Sequence, residues 1–390
     1  MTTFLAFVIV ITVLVFFHEM GHYLAARSVG VRVERFSVLL PPRLISFTSV
    51  PDGWEFRLFF YGRNELSKLI WKPVYTRFIS RPGRKGSLTE YTLASIPFGG
   101  YVKLSGMIDE SLDTTVKHAP YELLSKPRWA QAWVMSAGVI MNIVLAFILF
   151  TWIVGITGIP EVSDEPIVSG VLEGMPAEEL GLQPGDRIVA IDGIEVTSWN
   201  EMTRMIRPIP GKRISLRWER SGVIHEENVT IGIDPSPLRT DSTGMLGIAP
   251  EWEYSPVNFI GALRAGAIST VNGFGLIYLS LKMIADGRAS VKDIGGPIAI
   301  AQFAGDAAEM GWIYLVQFMA LISVNLAFIN ILPVPGLDGG HILVIIIEAL
   351  RRKPLTIKTR MVIQQIGMAI LMVLILTIMY NDILKLIFTN

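Results

Sequence analysis

Phe16-Phe17-His18-Glu19-Met20-Gly21-His22 lies inside an apolar run. From Phe4 to Phe17 every residue except Thr12 is apolar, and Tyr23 to Ala26 is apolar again. Two histidines and a glutamate therefore sit in what reads as one membrane helix. Ionisable groups at that depth cost about 2.5–3.5 kcal/mol each and mark a functional site. The spacing names the chemistry. His18 and His22 are four apart, which puts both imidazoles on one helix face a turn apart. Glu19 is adjacent and can act on a water without being a ligand. HExxH on a helix is the zinc-hydrolase pattern. The competing reading is polar residues that hydrogen-bond to neighbouring helices. A metal needs a third protein ligand and an open position.

Composition narrows the class. The chain has 390 residues, 51% hydrophobic and 17% charged, with a mean hydropathy of +0.48 and zero net charge. That fits several membrane spans plus a modest soluble part, and no nucleic-acid partner is expected. Without cysteine there is no disulfide framework and no thiolate ligand. Met1-Thr2-Thr3-Phe4 carries no Lys or Arg, so a retained first span with its N-terminus outside is expected rather than a cleaved signal peptide.

Four spans are predicted. The first, within 1–28, carries HExxH. Residues 29–128 read as a β-rich region on the cytoplasmic side. In it, Tyr91 to Leu104 is predicted as a re-entrant hairpin turning at Pro97-Phe98-Gly99-Gly100, and Gly62 to Gly86 as a basic, irregular surface insertion. The second span falls in 129–158, with Gly138 and Asn142 four apart on one face. Residues 251–311 read as an amphipathic, interfacial region; the charge-free Ala265–Leu281 is near the lower limit for a crossing and holds three glycines. The third span lies in 312–350 and the fourth in 360–382.

Charge sets the sidedness. Residues 27–128 hold 16 Lys/Arg against 9 Asp/Glu, whereas 158–312 hold 12 against 21. The bias places the first group inside and the second outside. Both chain ends are then outside, and HExxH is towards the cytoplasmic face.

The third span ends in Asn330-Ile331-Leu332-Pro333-Val334-Pro335-Gly336-Leu337-Asp338-Gly339-Gly340-His341. Two prolines stop the helix, so backbone is extended at membrane depth, which is tolerated only inside protein or along a wet cavity. Asp338 is the best third ligand, with His341 and Glu348 as rivals. If Ala265–Leu281 also crossed, Asp338 would land at the face opposite His18 and His22. With zinc bound, Glu19 would move the proton in peptide hydrolysis.

Gly174-Met175-Pro176 onwards, with Gly181-Leu182-Gln183-Pro184-Gly185-Asp186 and Asp192-Gly193, resembles a bacterial circularly permuted PDZ domain over 160–250. It reads either as a peptide binder or as a steric plug. Strands are predicted at Val168–Leu172, Ile188–Ile191, Arg213–Glu219 and Glu226–Ile231, with a helix at Trp199–Ile206.

Taken in order, HEMGH, the hairpin ending Ile96-Pro97-Phe98-Gly99-Gly100, Gly138 to Asn142, the PDZ-like segment and Asn330 to Gly339 resemble the site-2 protease family of intramembrane zinc metalloproteases, bacterial RseP type. The resemblance implies an α-helical polytopic membrane protein with four transmembrane helices, a membrane-associated β-hairpin and one PDZ domain outside. It implies zinc on His18, His22 and Asp338, with Glu19 as base. It implies substrate contacts at Asn330, Ile96, Pro97, Phe98, Gly99, Gly100, Pro333 and Pro335. The implied substrates are single-span membrane proteins, anti-sigma factors or signal-peptide remnants, in the bacterial inner membrane, with the PDZ domain gating access. Three features depart from the family: one PDZ domain instead of two, Leu39-Leu40-Pro41-Pro42 after Phe36, and the Gly62–Gly86 insertion. A membrane scaffold or a metal transporter are the other classes weighed. A scaffold has no use for an intramembrane base, and a transporter would need ionisable groups along other spans.

Overall fold

A computed structural model describes residues 2–63, 69–107, 119–234, 243–290 and 295–388. The chain forms two compact units, one of residues 1–153, 266–277 and 291–390, the other of 154–265 and 278–290.

The first unit opens with α1 (Thr2–Ser28). Its largely apolar sequence holds no proline, and one stripe, Ala6, Val10, Leu14, Gly21, Ala25, is buried at helical spacing. Four strands follow: β1 (Val33–Val50), β2 (Gly53–Arg63), β3 (Leu69–Ser80) and β4 (Glu90–Leu104). Then comes α2 (Arg128–Thr157). Gly21 makes the α1–α2 crossing close, since a Cβ there would strike the carbonyl of Ala137. Within lipid such small residues matter more than apolar burial, because lipid tails are as apolar as leucine.

The sheet is interlocked. Arg35–Val38 of β1 pairs with Gly100–Lys103 on one side and Glu90–Leu93 on the other. Glu90–Leu93 pairs in turn with the second arm of β1, Ile45–Thr48. Both strands bend, β1 near Leu39 (φ 69°) and β4 near Gly99 (φ 135°), which only glycine adopts without strain. The expected hairpin over Tyr91–Leu104 is thus present as a bend, but its arms do not bond each other. The first arm of β1 lies between them. Arg35 and Arg43 both bond Glu90. Burial opposes the charge on Glu90, but the two guanidinium groups hold its carboxyl below the usual range.

Further out, β2 pairs with β1 and β3 with β2. The Gly62–Gly86 stretch, expected to be irregular, is therefore largely an ordered strand; residues 64–68 lie outside the described residues. Ile70, Val74, Tyr75, Phe78 and Ile79 are strand formers, and Pro73 sits on the edge strand beside a register shift, where a missing donor costs little.

The second unit carries β5 (Ile159–Val162), β6 (Val168–Val171), α3 (Pro176–Glu179), β7 (Arg187–Ile191), β8 (Ile194–Glu195), α4 (Trp199–Ile206), β9 (Arg213–Arg220), β10 (Val223–Thr230), β11 (Gly232–Ile233), β12 (Gly244–Met245), β13 (Ile248–Pro250) and β14 (Trp252–Ser255). Its main sheet runs β10-β9-β7-β8. Ile188, Ile191, Met202, Ile214, Leu216 and Trp218 form its core. The helix predicted at Trp199–Ile206 is α4: the Ser198 hydroxyl accepts from the Glu201 N–H, and Glu201 accepts from the Thr197 N–H. Asp186 holds its turn by accepting from the Gln183 N–H and from Arg220.

Then α5 (Phe259–Ala285) leads to α6 (Pro297–Met310), α7 (Trp312–Ile331), α8 (Asp338–Arg351) and α9 (Ile357–Phe388). Among the described residues five helices are long and apolar enough to cross a membrane, where four crossings are expected; the additional one is α5. The glycines and hydroxyls of Ala265–Leu281 do not interrupt it, because Asn258 caps its start and Thr270 returns its hydroxyl to the Gly266 carbonyl. At α6 the Asp382 carboxylate, from α9, accepts from the N–H groups of Gly296, Ile298 and Ala299.

Candidate metal centre

Three distant stretches meet. His18 and His22 project from α1, and Asp338 is the first residue of α8. His22 Nε2 is 3.3 Å from His18 Nε2. Asp338 Oδ2 is 3.3 Å from His22 Nε2 and 3.4 Å from His18 Nε2. Among the described residues this is the one group of three such side chains spaced to hold an ion. An ion with tetrahedral bonds of about 2.0–2.1 Å separates its ligand atoms by about 3.3 Å, so the triangle has the right size. Asp338 Oδ2 is also buried with no hydrogen-bond partner. A buried carboxylate oxygen without a donor is costly, and a cation answers that cost.

Outer contacts orient the rings. His22 Nδ1 donates to the Val134 carbonyl at 2.8 Å, which leaves the Nε2 lone pair for a ligand. His18 Nδ1 lies 3.2 Å from Asn142 Nδ2. Asn142 is fully buried and its Oδ1 has no partner. Turning the amide over satisfies both groups, with Oδ1 accepting from His18 Nδ1–H. Gly138 supplies the space: a Cβ there would collide with His22 Nε2 and come within 2.8 Å of His18 Nε2.

Glycines also shape the segment before Asp338. Added Cβ atoms at Gly339 and Gly340 would meet the carbonyls of Leu332 and Val334, and one at Gly367 would meet that of Pro335. So α8 and α9 close tightly on the proline loop. Gly336 has φ of 100°.

A cleft of about 500 Å³ opens onto the triangle and is lined by Glu19, Asn330, His341 and the outer arm of β4, Gly100–Leu104. No described strand pairs with the far side of that arm. The structure brings Asn330 and Gly100 to the cleft with His18, Glu19, His22 and Asp338. Ile96, Pro97, Gly99, Pro333 and Pro335 are not among its lining residues. Ile96 pairs with Leu40, and Pro335 lines a smaller neighbouring cavity. The Phe98 side chain lies outside the described residues. Glu348, a rival ligand, is turned away and bonds Arg360 at 2.6 Å. Of the stretch Tyr91–Leu104, expected from the sequence as an edge strand near the metal that could take an extended substrate, Gly100–Leu104 lines the cleft.

Comparison with known proteins gives the class. The sequence pattern of peptidase family M50 matches residues 6–62 and 79–374. A protein of Agrobacterium fabrum is 32% identical over 98% of this chain and 95% of its own length. The regulator of sigma-W protease RasP of Bacillus subtilis is 27% identical over 98% of this chain and 99% of its own length. The zinc metalloprotease RasP of Shouchella clausii is 28% identical over 99% and 100%. Among solved structures, the PDZ domain of an SdrC-like protein of Listeria monocytogenes is 21% identical, covering 23% of this chain and 90% of that domain, with a TM-score of 0.20. The chain belongs to peptidase family M50. It is a zinc metalloprotease.

Proposed function

We propose that this protease cuts peptide bonds within or near the transmembrane segments of single-span membrane proteins. The observation that carries the reading is the His18–His22–Asp338 triangle, which has zinc dimensions and sits beside Glu19 among membrane helices. His18, His22 and Asp338 hold the zinc. When bound, it supplies Lewis acidity towards the scissile carbonyl and the attacking water. Glu19 accepts the proton of that water and returns it to the leaving nitrogen. Asn330 bonds the substrate backbone. A substrate helix hides its peptide groups in internal hydrogen bonds, so it must unwind first. The arm Gly100–Leu104, whose far side pairs with no described strand, receives it as an added strand.

Four crossings remain the preferred topology, with α5 entering the bilayer without traversing it. At the start of α5, Gly266 lies against Thr151 near the end of α2. After α5, Gly305 lies against Thr3 at the start of α1, and Asp382 near the end of α9 caps α6. Gly266 of α5 and Gly305 of α6 thus lie at the face where α1 begins, and a crossing by α5 would need non-helical backbone to return through lipid before α6. That face is outside, with the chain ends and the PDZ domain of 160–250, in a bacterial inner membrane. The PDZ domain gates access. The substrates are anti-sigma factors, as the name of the Bacillus relative suggests, or signal-peptide remnants.

Co-expression with candidate single-span proteins tests the reading. Wild type should shorten the substrate. Glu19→Gln should leave it intact while binding zinc as wild type does. Cleavage by Glu19→Gln at the wild-type rate rejects the assignment.

A further inference from the structure

The sheet carries a surface that the cleft does not use. The M50 match passes from residue 62 to residue 79 and leaves out most of β3. This added strand gives the sheet two unlike faces. On one, Phe47 packs on Phe56 and Phe56 on Tyr75, with ring centroids 4.9 and 6.3 Å apart. Trp54 packs on Tyr91, and Tyr91 bonds the hydroxyl of Tyr23 on α1 at 2.7 Å. The aromatic face therefore runs without a break from the cytoplasmic end of the first span out to β3. It is open: Phe47, Tyr75 and Ile79 are 43%, 48% and 47% exposed. The opposite face carries the Glu55–Arg57 ion pair and Thr76, with Phe78 as an exposed ring opposite Glu55 but, among the described residues, no aromatic chain leading to a membrane helix.

Charge on the aromatic face has one sign. Arg84 stacks over Trp54 at 4.4 Å and Arg27 over Tyr23 at 5.9 Å, and Arg77 stands opposite Phe56 in the register. From 69 to 86 the sequence has Lys72, Arg77, Arg81, Arg84 and Lys85 and no acidic residue. Amphipathic rings with arginines, next to the end of a span, are the composition of the membrane–water interface. Basic groups at that level are drawn to anionic headgroups.

We infer that the aromatic face of β2 and β3 lies on the headgroup layer of the cytoplasmic leaflet and binds anionic phospholipid there. A soluble protein partner would not need the face to be continuous with a membrane helix. Because β3 is hydrogen-bonded through β2 and β1 to the strand lining the cleft, this contact fixes the depth of the cleft in the bilayer.

The absence of cysteine allows a direct test. Single substitutions Tyr75→Cys and Ile79→Cys on the aromatic face, and Thr76→Cys on the other, are labelled with bimane. The full chain is placed, one molecule per nanodisc, in phosphatidylcholine alone or mixed with phosphatidylglycerol. Headgroup-level spin-labelled lipid should quench the labels at 75 and 79 at least about twofold more in the anionic discs. Iodide should reach only the label at 76. Adding Arg77→Glu should abolish the difference between disc types. Iodide quenching at 75 and 79 equal to that at 76 in both lipids overturns the inference. So does shielding of 75 and 79 that persists in lipid-free detergent or needs a second copy, because the occupant is then protein.

Discussion

A Cβ on Gly138 would overlap His22 Nε2. This relationship sets two effects against each other. Alanine is favoured over glycine in a helix by about 1 kcal/mol, so Gly138→Ala should strengthen α2 in isolation. The added methyl, however, sits where the two imidazoles converge. Gly138→Ala is expected to reduce zinc affinity at least about tenfold, read by chelator competition on the purified protein. Gly155→Ala, whose Cβ would meet only Ala262 at 3.9 Å, should bind zinc as wild type does. Equal zinc affinity in Gly138→Ala would show that the helices yield.

Asn142 orients His18 through its ring Nδ1. Asn142→Ala removes that acceptor and should weaken zinc binding by about 10–100-fold. Cobalt substitution gives a second readout, since an altered ligand angle changes the visible spectrum. A spectrum and affinity identical to wild type would mean the amide has only a packing role.

Asn330 borders the cleft but not the ligand triangle. Asn330→Ala is expected to raise KM about tenfold, the loss of one good hydrogen bond to substrate, with zinc content unchanged. A fall in zinc content instead would assign Asn330 to the metal.

Acid should act on the second unit through Asp186. Burial opposes its charge, but Arg220 and the Gln183 N–H hold its carboxyl below the usual range. Its unfolded value is higher, so its stabilising effect is full above about pH 4 and fades as pH falls through the folded value. Hydrogen exchange across Arg187–Ile191 should be faster in Asp186→Asn than in wild type at pH 7. The gap should close towards pH 3. A gap that stays constant would remove the ion pair from the explanation.

Much of this was legible along the chain. The four-residue spacing of His18 and His22 places them on one face of α1 whatever surrounds it, because helix periodicity is local. Pro333 and Pro335 end α7 for an equally local reason, a missing donor and a fixed φ. Gly62–Gly86 reads as an insertion, as the family match bears out, but its expected irregularity was wrong because β3 owes its order to β2, and pairing partners leave no mark in composition. The full length of α5 was not legible, because Thr270 returns its hydroxyl to the Gly266 carbonyl and Asn258 caps the start, contacts that composition does not show.

The sequence by itself determined which residues could do chemistry: two imidazoles one turn apart, a carboxylate beside them, and a second carboxylate in a broken helix. Only the tertiary structure decided that Asp338 Oδ2 stands 3.3 Å from His22 Nε2. It also decided that Gly100–Leu104, and not Ile96, Pro97 or Gly99, lines the cleft beside them. The reason is physical. Periodicity fixes the direction of a side chain on its own element, but the meeting of elements hundreds of residues apart depends on how closely helices approach. Here that approach rests on glycines at 21, 138 and 367, which have no side chain to keep neighbours away.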